Sequence, residues 1–201
     1  EGALVEPTDI PNAVQALGRG DPIVIPTDTV YGLAAAADNR GAVAAIFALK
    51  QRPVDVKVAV LVADIDQARA YVDLGPAGER LAARYWPGPL TIVAPRHVVG
   101  SLAAGDDKTL GVRCPNDEVA RTLAARVGPI AATSANLHGA DTPARAAEVA
   151  DLFPGVSLVI DDGPRPGAAS TVVSVVDGVA VVLREGPISE SDIAAVAESD
   201  S

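Results

Sequence analysis

Short runs rich in Val, Ile and Leu alternate along this chain with Ala-rich stretches whose apolar residues return every three or four positions. That alternation of strand-like and helix-like periods is the pattern of an α/β domain. Strands are predicted at 22–26, 58–62, 90–94, 109–113, 129–133, 156–160, 171–176 and 180–184. A first helix starts at Thr8 or Asp9 and runs to about residue 17, with Gly18 and Gly20 ending it. A second follows Asp38 or Asn39, buries Val43, Ile46, Phe47 and Leu49, and cannot pass Pro53. Further helices are predicted at 64–71, 76–85, 116–126, from near Thr142, and at 189–197. The Trp86-Pro87-Gly88-Pro89 breaker separates a helix from the strand after it. Asp177-Gly178 between Val-rich runs predicts a hairpin, so at least one strand pair is antiparallel and the sheet is mixed. Residues 161–170 are the richest in turn formers and read equally as a mobile flap or a plain surface connection. No linker or repeat divides the chain, so residues 1–201 are expected to form one domain.

Four apolar runs end in a polar or charged anchor: IVIPTDT (23–29), TLGVRCP (109–115), PIAATSAN (129–136) and VAVVLRE (179–185). If they are strands of one sheet and some lie parallel, Thr27, Arg113, Thr133, Ser134, Asn136 and Arg184 gather along one rim, where open α/β sheets bind ligands. With Lys50-Gln51-Arg52, such a rim suits an anionic ligand and points to an enzyme that handles nucleotides.

Composition narrows the picture. Nearly half the residues are apolar (49%), yet only Trp, Tyr and Phe numbering 1, 3 and 2 are aromatic and Met is absent. The core must therefore be built from Ala, Val, Leu and Ile. The apolar runs are far shorter than the roughly 18 residues that cross a bilayer, and the N-terminus lacks the basic-then-apolar layout of a leader. A soluble, cytoplasmic protein with no membrane partner is expected. The net charge of −10 argues against broad, non-specific nucleic-acid binding. Lys50, Arg52, Lys57, Arg113 and Arg184 nonetheless cluster in or near the anchor segments, a local positive cleft within an acidic shell. The lone cysteine, Cys114, reads as a small buried hydrophobe, and His97 as a solvated loop residue. His97 and His138 have no zinc spacing, so no structural metal is expected.

Each anchor taken alone has a plain structural reading. Lys50 and Arg52 complement a helix C-terminus, although Pro53 pushes Arg52 extended and lets both side chains turn to one site. The Thr133–Asn136 hydroxyls and amide suit a capping turn as well as a phosphate or carboxylate cradle. The Thr27–Thr29 segment reads by default as a turn, and the single carboxylate of Asp28 is too little for a metal cage. Arg113 and Arg184 can snorkel to water or clamp an anion with two parallel bonds.

The conjunction shifts these odds. IPTDTVYGL (25–33), LKQRP (49–53), WPGPLT (86–91), TLGVRCP (109–115), TSAN followed by Gly139, and STVV (170–173) followed by LREG (183–186) resemble, in this order, the YrdC-like threonylcarbamoyl-AMP synthases. The resemblance runs from about residue 10 to 195. It implies a YrdC-like fold: a single domain with a twisted mixed open sheet, flanked by helices around a concave ligand cleft. It implies a nucleotidyltransferase that condenses L-threonine, bicarbonate or carbon dioxide, and ATP into threonylcarbamoyl-AMP and pyrophosphate, with Mg2+ carried by ATP. The product would pass to a tRNA threonylcarbamoyl-transferase complex acting at tRNA position 37, with at most weak RNA contact by this chain. By the same resemblance Thr27, Arg113 and Ser170 hold threonine, and Lys50, Arg52, Thr109, Ser134, Asn136 and Arg184 surround the adenylate and phosphates. Thr133 lies between the two ligands, and Lys50, Arg52, Ser134 and Asn136 carry the catalytic role.

Three departures accompany the resemblance. Residues 54–58 replace a Lys- or Asn-Pro-Leu-like segment, which leaves the placement of Lys57 open. His138 stands where a serine hydroxyl is usual. The sequence stops near 201, so the extra C-terminal domain of longer members is expected to be missing. Two other readings stay open: a non-catalytic RNA- or nucleotide-binding module on this scaffold, and a domain that uses a carbamoyl-adenylate on another substrate.

Overall fold

In the computed structural model, which describes residues 3–51, 58–97, 102–137 and 139–199, ten strands form one sheet and seven helices pack against it. Eight of the strands follow the predicted runs: β2 (Ile23–Ile25), β4 (Ala59–Leu61), β5 (Leu90–Pro95), β6 (Thr109–Arg113), β7 (Ile130–Ser134), β8 (Leu158–Ile160), β9 (Thr171–Ser174) and β10 (Val181–Arg184). Two strands lie outside the expectations, β1 (Ala3–Val5) and β3 (Gly32–Ala36). The segment GLAAA has little strand propensity. It is held because β2 and β7 flank it with antiparallel ladders and all five residues are buried.

The helices are α1 (Ile10–Arg19), α2 (Arg40–Leu49), α3 (Ile65–Arg69), α4 (Gly75–Tyr85), α5 (Glu118–Val127), α6 (Ala146–Leu152) and α7 (Glu190–Ala197), and four of them start at a side-chain cap. The side chains of Asn39, Asp64, Asp117 and Ser189 each accept from a first-turn amide, satisfying donors that the helix cannot. Helix α1 runs through Gly18 to Arg19, and Gly20, at φ +86°, ends it. Helix α6 begins later than Thr142, after an extended Arg145. No helix among the described residues is long and apolar enough to cross a membrane.

The strand order is β1-β8-β2-β3-β7-β4-β6-β5-β9-β10. Antiparallel contacts join β2 to β3, β3 to β7, β7 to β4, β6 to β5 and β9 to β10, and the remaining neighbours are parallel. Strand alternation then divides the residues between two faces. On one face Val60, Leu90, Ile92, Leu110 and Val112 pack under α3, α4 and α7, and Val24, Leu33 and Ala35 pack under α2 and α6. On the other, Ile23, Ile25, Ala34 and Ile130 pack under α1 and α5. The remainder of that second face, presented by β4, β5, β6 and β9, is the floor of a cavity of about 740 Å³.

Candidate active site

The floor of the cavity follows from strand period. In TLGVR, Leu110 and Val112 turn into the core, so Thr109, Gly111 and Arg113 face the opening; in β5, Thr91 and Val93 do the same. The expected rim is thereby corrected to a sheet face. Chained through their pairings, β2 and β7 run opposite to β6 and β10, so the C-terminal ends of the four anchor runs do not share an edge. The twist of the sheet and the loops that cross it bring the anchors together instead.

Thr27, Lys50, Thr109, Arg113, Thr133, Ser134, Asn136, Ser170 and Arg184 all line this one cavity. Arg52, Lys57 and His138 lie outside the described residues. Lys50 caps α2, with its side chain turned inward and only 2% of the residue exposed. Its ammonium donates to the Ser134 carbonyl at 2.5 Å and Asn136 Oδ1 at 2.9 Å, and reaches the Thr133 and Ser134 hydroxyls at 3.4 Å. Ser134 Oγ donates to Asn136 Oδ1 at 2.6 Å, and Asn136 Nδ2 to the Ala140 carbonyl at 2.5 Å. One cation thus organises the TSAN turn and stays beside its oxygens. The segment caps no helix, since the next one starts at Ala146 after Arg145; its hydroxyls and amide are bound to one another and to Lys50 at the cavity wall.

Arg113, 6% exposed, is gripped from three sides. Nε donates to the Gly88 carbonyl at 3.1 Å, Nη1 to Thr29 Oγ1 at 3.1 Å and Nη2 to Asp28 Oδ1 at 2.6 Å. Burial pulls its pKa down, opposed by the Asp28 carboxylate. The WPGP breaker has a role in this grip. Trp86-Pro87 is cis, Gly88 N donates to the Cys114 carbonyl at 2.8 Å, and a Cβ on Gly88 would lie 2.3 Å from the Tyr85 carbonyl. Asp28 is therefore a partner of arginine, a role the turn reading missed. Thr27 Oγ1 is bound into the turn, donating to the Val30 carbonyl at 2.6 Å and accepting from the Val30 amide at 3.2 Å.

Arg184 reaches the cavity through an irregularity. Val181 and Val182 pair with Ser174 and Val173, but Arg184 pairs with Val172, so Leu183 is an extra residue. In a regular, unbulged strand Arg184, two residues after Val182, would face the core as Val182 does; the bulge returns it to the cavity face. Its guanidinium donates to the Ser170 carbonyl at 2.8 Å and 3.2 Å, and burial lowers its pKa. No carboxylate forms an ion pair with it among the described residues. Thr109 Oγ1 donates to Asp106 Oδ1 at 3.1 Å. Cys114 is buried, and burial pushes its thiol up to about 11, so it is not a thiolate at neutral pH.

The 161–170 segment is tied down as a strap. Tyr31 Oη donates to the Gly163 carbonyl at 2.7 Å, and Arg165 donates to the Thr27 carbonyl at 2.9 Å and pairs with Asp162 and Asp117. At Gly167 a Cβ would stand 2.4 Å from the Thr29 carbonyl, whereas at Gly163, φ +74°, it would meet nothing within 4 Å. Gly167→Ala should therefore lower Tm by several degrees, because backbone must move. Gly163→Ala should cost about 1 kcal/mol through its dihedral alone. Equal melting temperatures for the two variants would show that the strap does not press on the Thr29 backbone.

Residues 15–186 match Sua5/YciO/YrdC, a family described as "Telomere recombination". The chain belongs to the Sua5/YciO/YrdC family. Among its relatives, the threonylcarbamoyl-AMP synthase of Pyrococcus abyssi is 37% identical over 163 residues, 79% of this chain and 48% of the relative. That of Bacillus subtilis is 38% identical over 162 residues, 77% of this chain and 46% of the relative. The chain thus spans about half the length of these Sua5/YciO/YrdC proteins. The crystal structure of P. abyssi Sua5 complexed with L-threonine superposes with a TM-score of 0.86 at 36% identity, covering 96% of this chain and 58% of that one. The mixed open sheet expected from sequence is the fold of this family.

Proposed function

We propose that this chain is an L-threonylcarbamoyladenylate synthase, converting L-threonine, bicarbonate or carbon dioxide, and ATP into threonylcarbamoyl-AMP and pyrophosphate. The observation that carries the proposal is the convergence of Lys50, Arg113 and Arg184 with the Thr133–Asn136 turn and Ser170 on one cavity. Two relatives carrying that activity in their names and a threonine-bound relative of the same fold support it.

The cavity suits the chemistry. Threonine's amine adds the carbon of bicarbonate, losing water, to give a carbamate; a carbamate oxygen then attacks the α-phosphorus, and the bond to the bridging oxygen breaks to release pyrophosphate. The nucleophile belongs to the substrate, so the protein must position reactants and stabilise charge spread over phosphate oxygens. Arg113 has five N–H donors, of which the three bonds above occupy three; two remain for the threonine carboxylate. In this reading Thr27 and Ser170 complete the threonine site. Lys50, Thr109, Ser134, Asn136 and Arg184 face the nucleotide, and Thr133 lies between; the same role for Arg52 rests on the sequence resemblance alone. Mg2+ enters on ATP, held by phosphates and water; Asp28 is engaged by Arg113, and the described residues contain no cluster of three His, Cys, Asp or Glu to cage a metal. The product would be passed in the cytoplasm to a tRNA threonylcarbamoyl-transferase complex.

The purified chain with ATP, Mg2+, bicarbonate and L-threonine is expected to release pyrophosphate, and omission of threonine to abolish the release. Release that is indifferent to threonine would refute the synthase. Adenylate binding without turnover would favour a non-catalytic nucleotide-binding module, and turnover with a different amine a carbamoyl-adenylate domain of other specificity.

A further inference from the structure

One polar residue on the cavity floor has no part in the roles above. Thr91 sits in β5, 6% exposed, and its Oγ1 lies 2.8 Å from Ser170 Oγ, the one hydrogen bond its hydroxyl makes among the described residues. Ser170 Oγ also accepts from Arg184 Nη2 at 3.3 Å. The two hydroxyls bring two protons. One is shared between them, and Arg184 supplies Ser170 with a third from outside the pair. The second hydroxyl proton therefore has no acceptor within the group. If Thr91 donates to Ser170, the Ser170 O–H is left over; if Ser170 donates to Thr91, the Thr91 O–H is left over. Both residues line the cavity, so in either order one O–H is offered to its contents.

We infer that Thr91 and Ser170 form one donor unit, backed by the Arg184 guanidinium, that reads an anionic oxygen of the amino-acid substrate. This rests on the synthase reading and adds Thr91 to its amino-acid site. Pairing fixes the hydroxyl before ligand arrives, so less rotational freedom is lost on binding. The nearby cation makes the bond a charge-supported donation to an acceptor and disfavours donors, such as an ammonium, at the same place. The pairing also explains why a threonine stands at this point of a strand otherwise apolar from Leu90 to Val93.

The test is a double-mutant cycle on the full chain, with Thr91→Val, Thr91→Ser, Ser170→Ala and the Thr91→Val/Ser170→Ala double variant. L-threonine affinity is read by calorimetry, and KM and kcat by pyrophosphate release. Thr91→Val, of nearly the same shape, should weaken threonine about five- to tenfold, raising KM far more than it lowers kcat, with Tm close to wild type. Thr91→Ser should stay within about twofold of wild type, and Thr91→Val should cost nothing further once Ser170 is alanine. Affinity unchanged in Thr91→Val, a full Thr91→Val penalty in the Ser170→Ala background, or a Thr91→Ser as weak as Thr91→Val would each overturn the pairing. A wild-type chain that binds L-threonine without threonine-dependent turnover would refute the synthase and leave calorimetry to decide the pairing. A wild-type chain that binds none would refute both.

Discussion

Lys50→Ala is expected to lower threonine-dependent pyrophosphate release by about 10²–10³-fold, the loss that follows removal of one preorganised charge-stabilising donor. Two effects combine. In the proposed reaction the developing phosphate charge loses the ammonium, and the Ser134 carbonyl and Asn136 Oδ1, now held at 2.5 and 2.9 Å, lose their shared donor. Charged hydrogen bonds of this kind contribute about 1.5–3 kcal/mol. Lys50→Arg should recover only part of the rate, because a planar fork cannot reproduce a compact ammonium surrounded by oxygens on several sides. Pyrophosphate release measured at saturating ATP settles the matter, and a rate within threefold of wild type would remove Lys50 from the machinery.

Arg113→Ala should lose both threonine dependence and stability, and the two losses can be separated. Arg113 and Asp28 side chains are 7% and 14% exposed, and deleting the cation strands a carboxylate that the fold has taken out of water. Breaking a buried pair this way costs about 3–5 kcal/mol, or roughly 6–20 °C in Tm for a chain of this size. Adding Asp28→Asn to Arg113→Ala removes the stranded charge and should restore several degrees. It should restore no threonine binding, because the guanidinium proposed to take the substrate carboxylate is still absent. Thermal melts with and without L-threonine make both comparisons; recovery of threonine stabilisation in the double variant would show that Arg113 is scaffolding alone.

Much of this arrangement could be read from residue order, and the parts that could not have physical reasons. TLGVR carries its own two-faced pattern: an apolar residue at every second position predicted the strand, and the residues between them proved to be cavity floor. The hairpin at Asp177-Gly178 was equally local, with Gly178 at φ +77°. By contrast, GLAAA becomes a central strand only because β7, about a hundred residues away, pairs with it residue for residue. Ala and Gly give no local hint of that. The misplaced rim has a related cause. Polar anchors at the ends of apolar runs say where a strand stops but not which way it points, and direction is settled by pairings distant in sequence. Arg184 shows a third limit: the register shift at Leu183 decides which face the arginine occupies, and a uniform Val-Val-Leu run does not reveal a bulge. Asp28 and Thr91 were hidden for a simpler reason, since each is defined by a side chain about 80 positions away.

That distance has a consequence of its own. Lys50 meets Ser134 across 84 positions, and Asp28 meets Arg113 across 85. Each contact joins an early stretch of the chain to a late one, so a cut between residues 50 and 113 divides both pairs between separate fragments. A substrate bound in this cavity would tie together remote stretches of polypeptide, and its grip would be felt as resistance to global unfolding rather than to the fraying of any single loop.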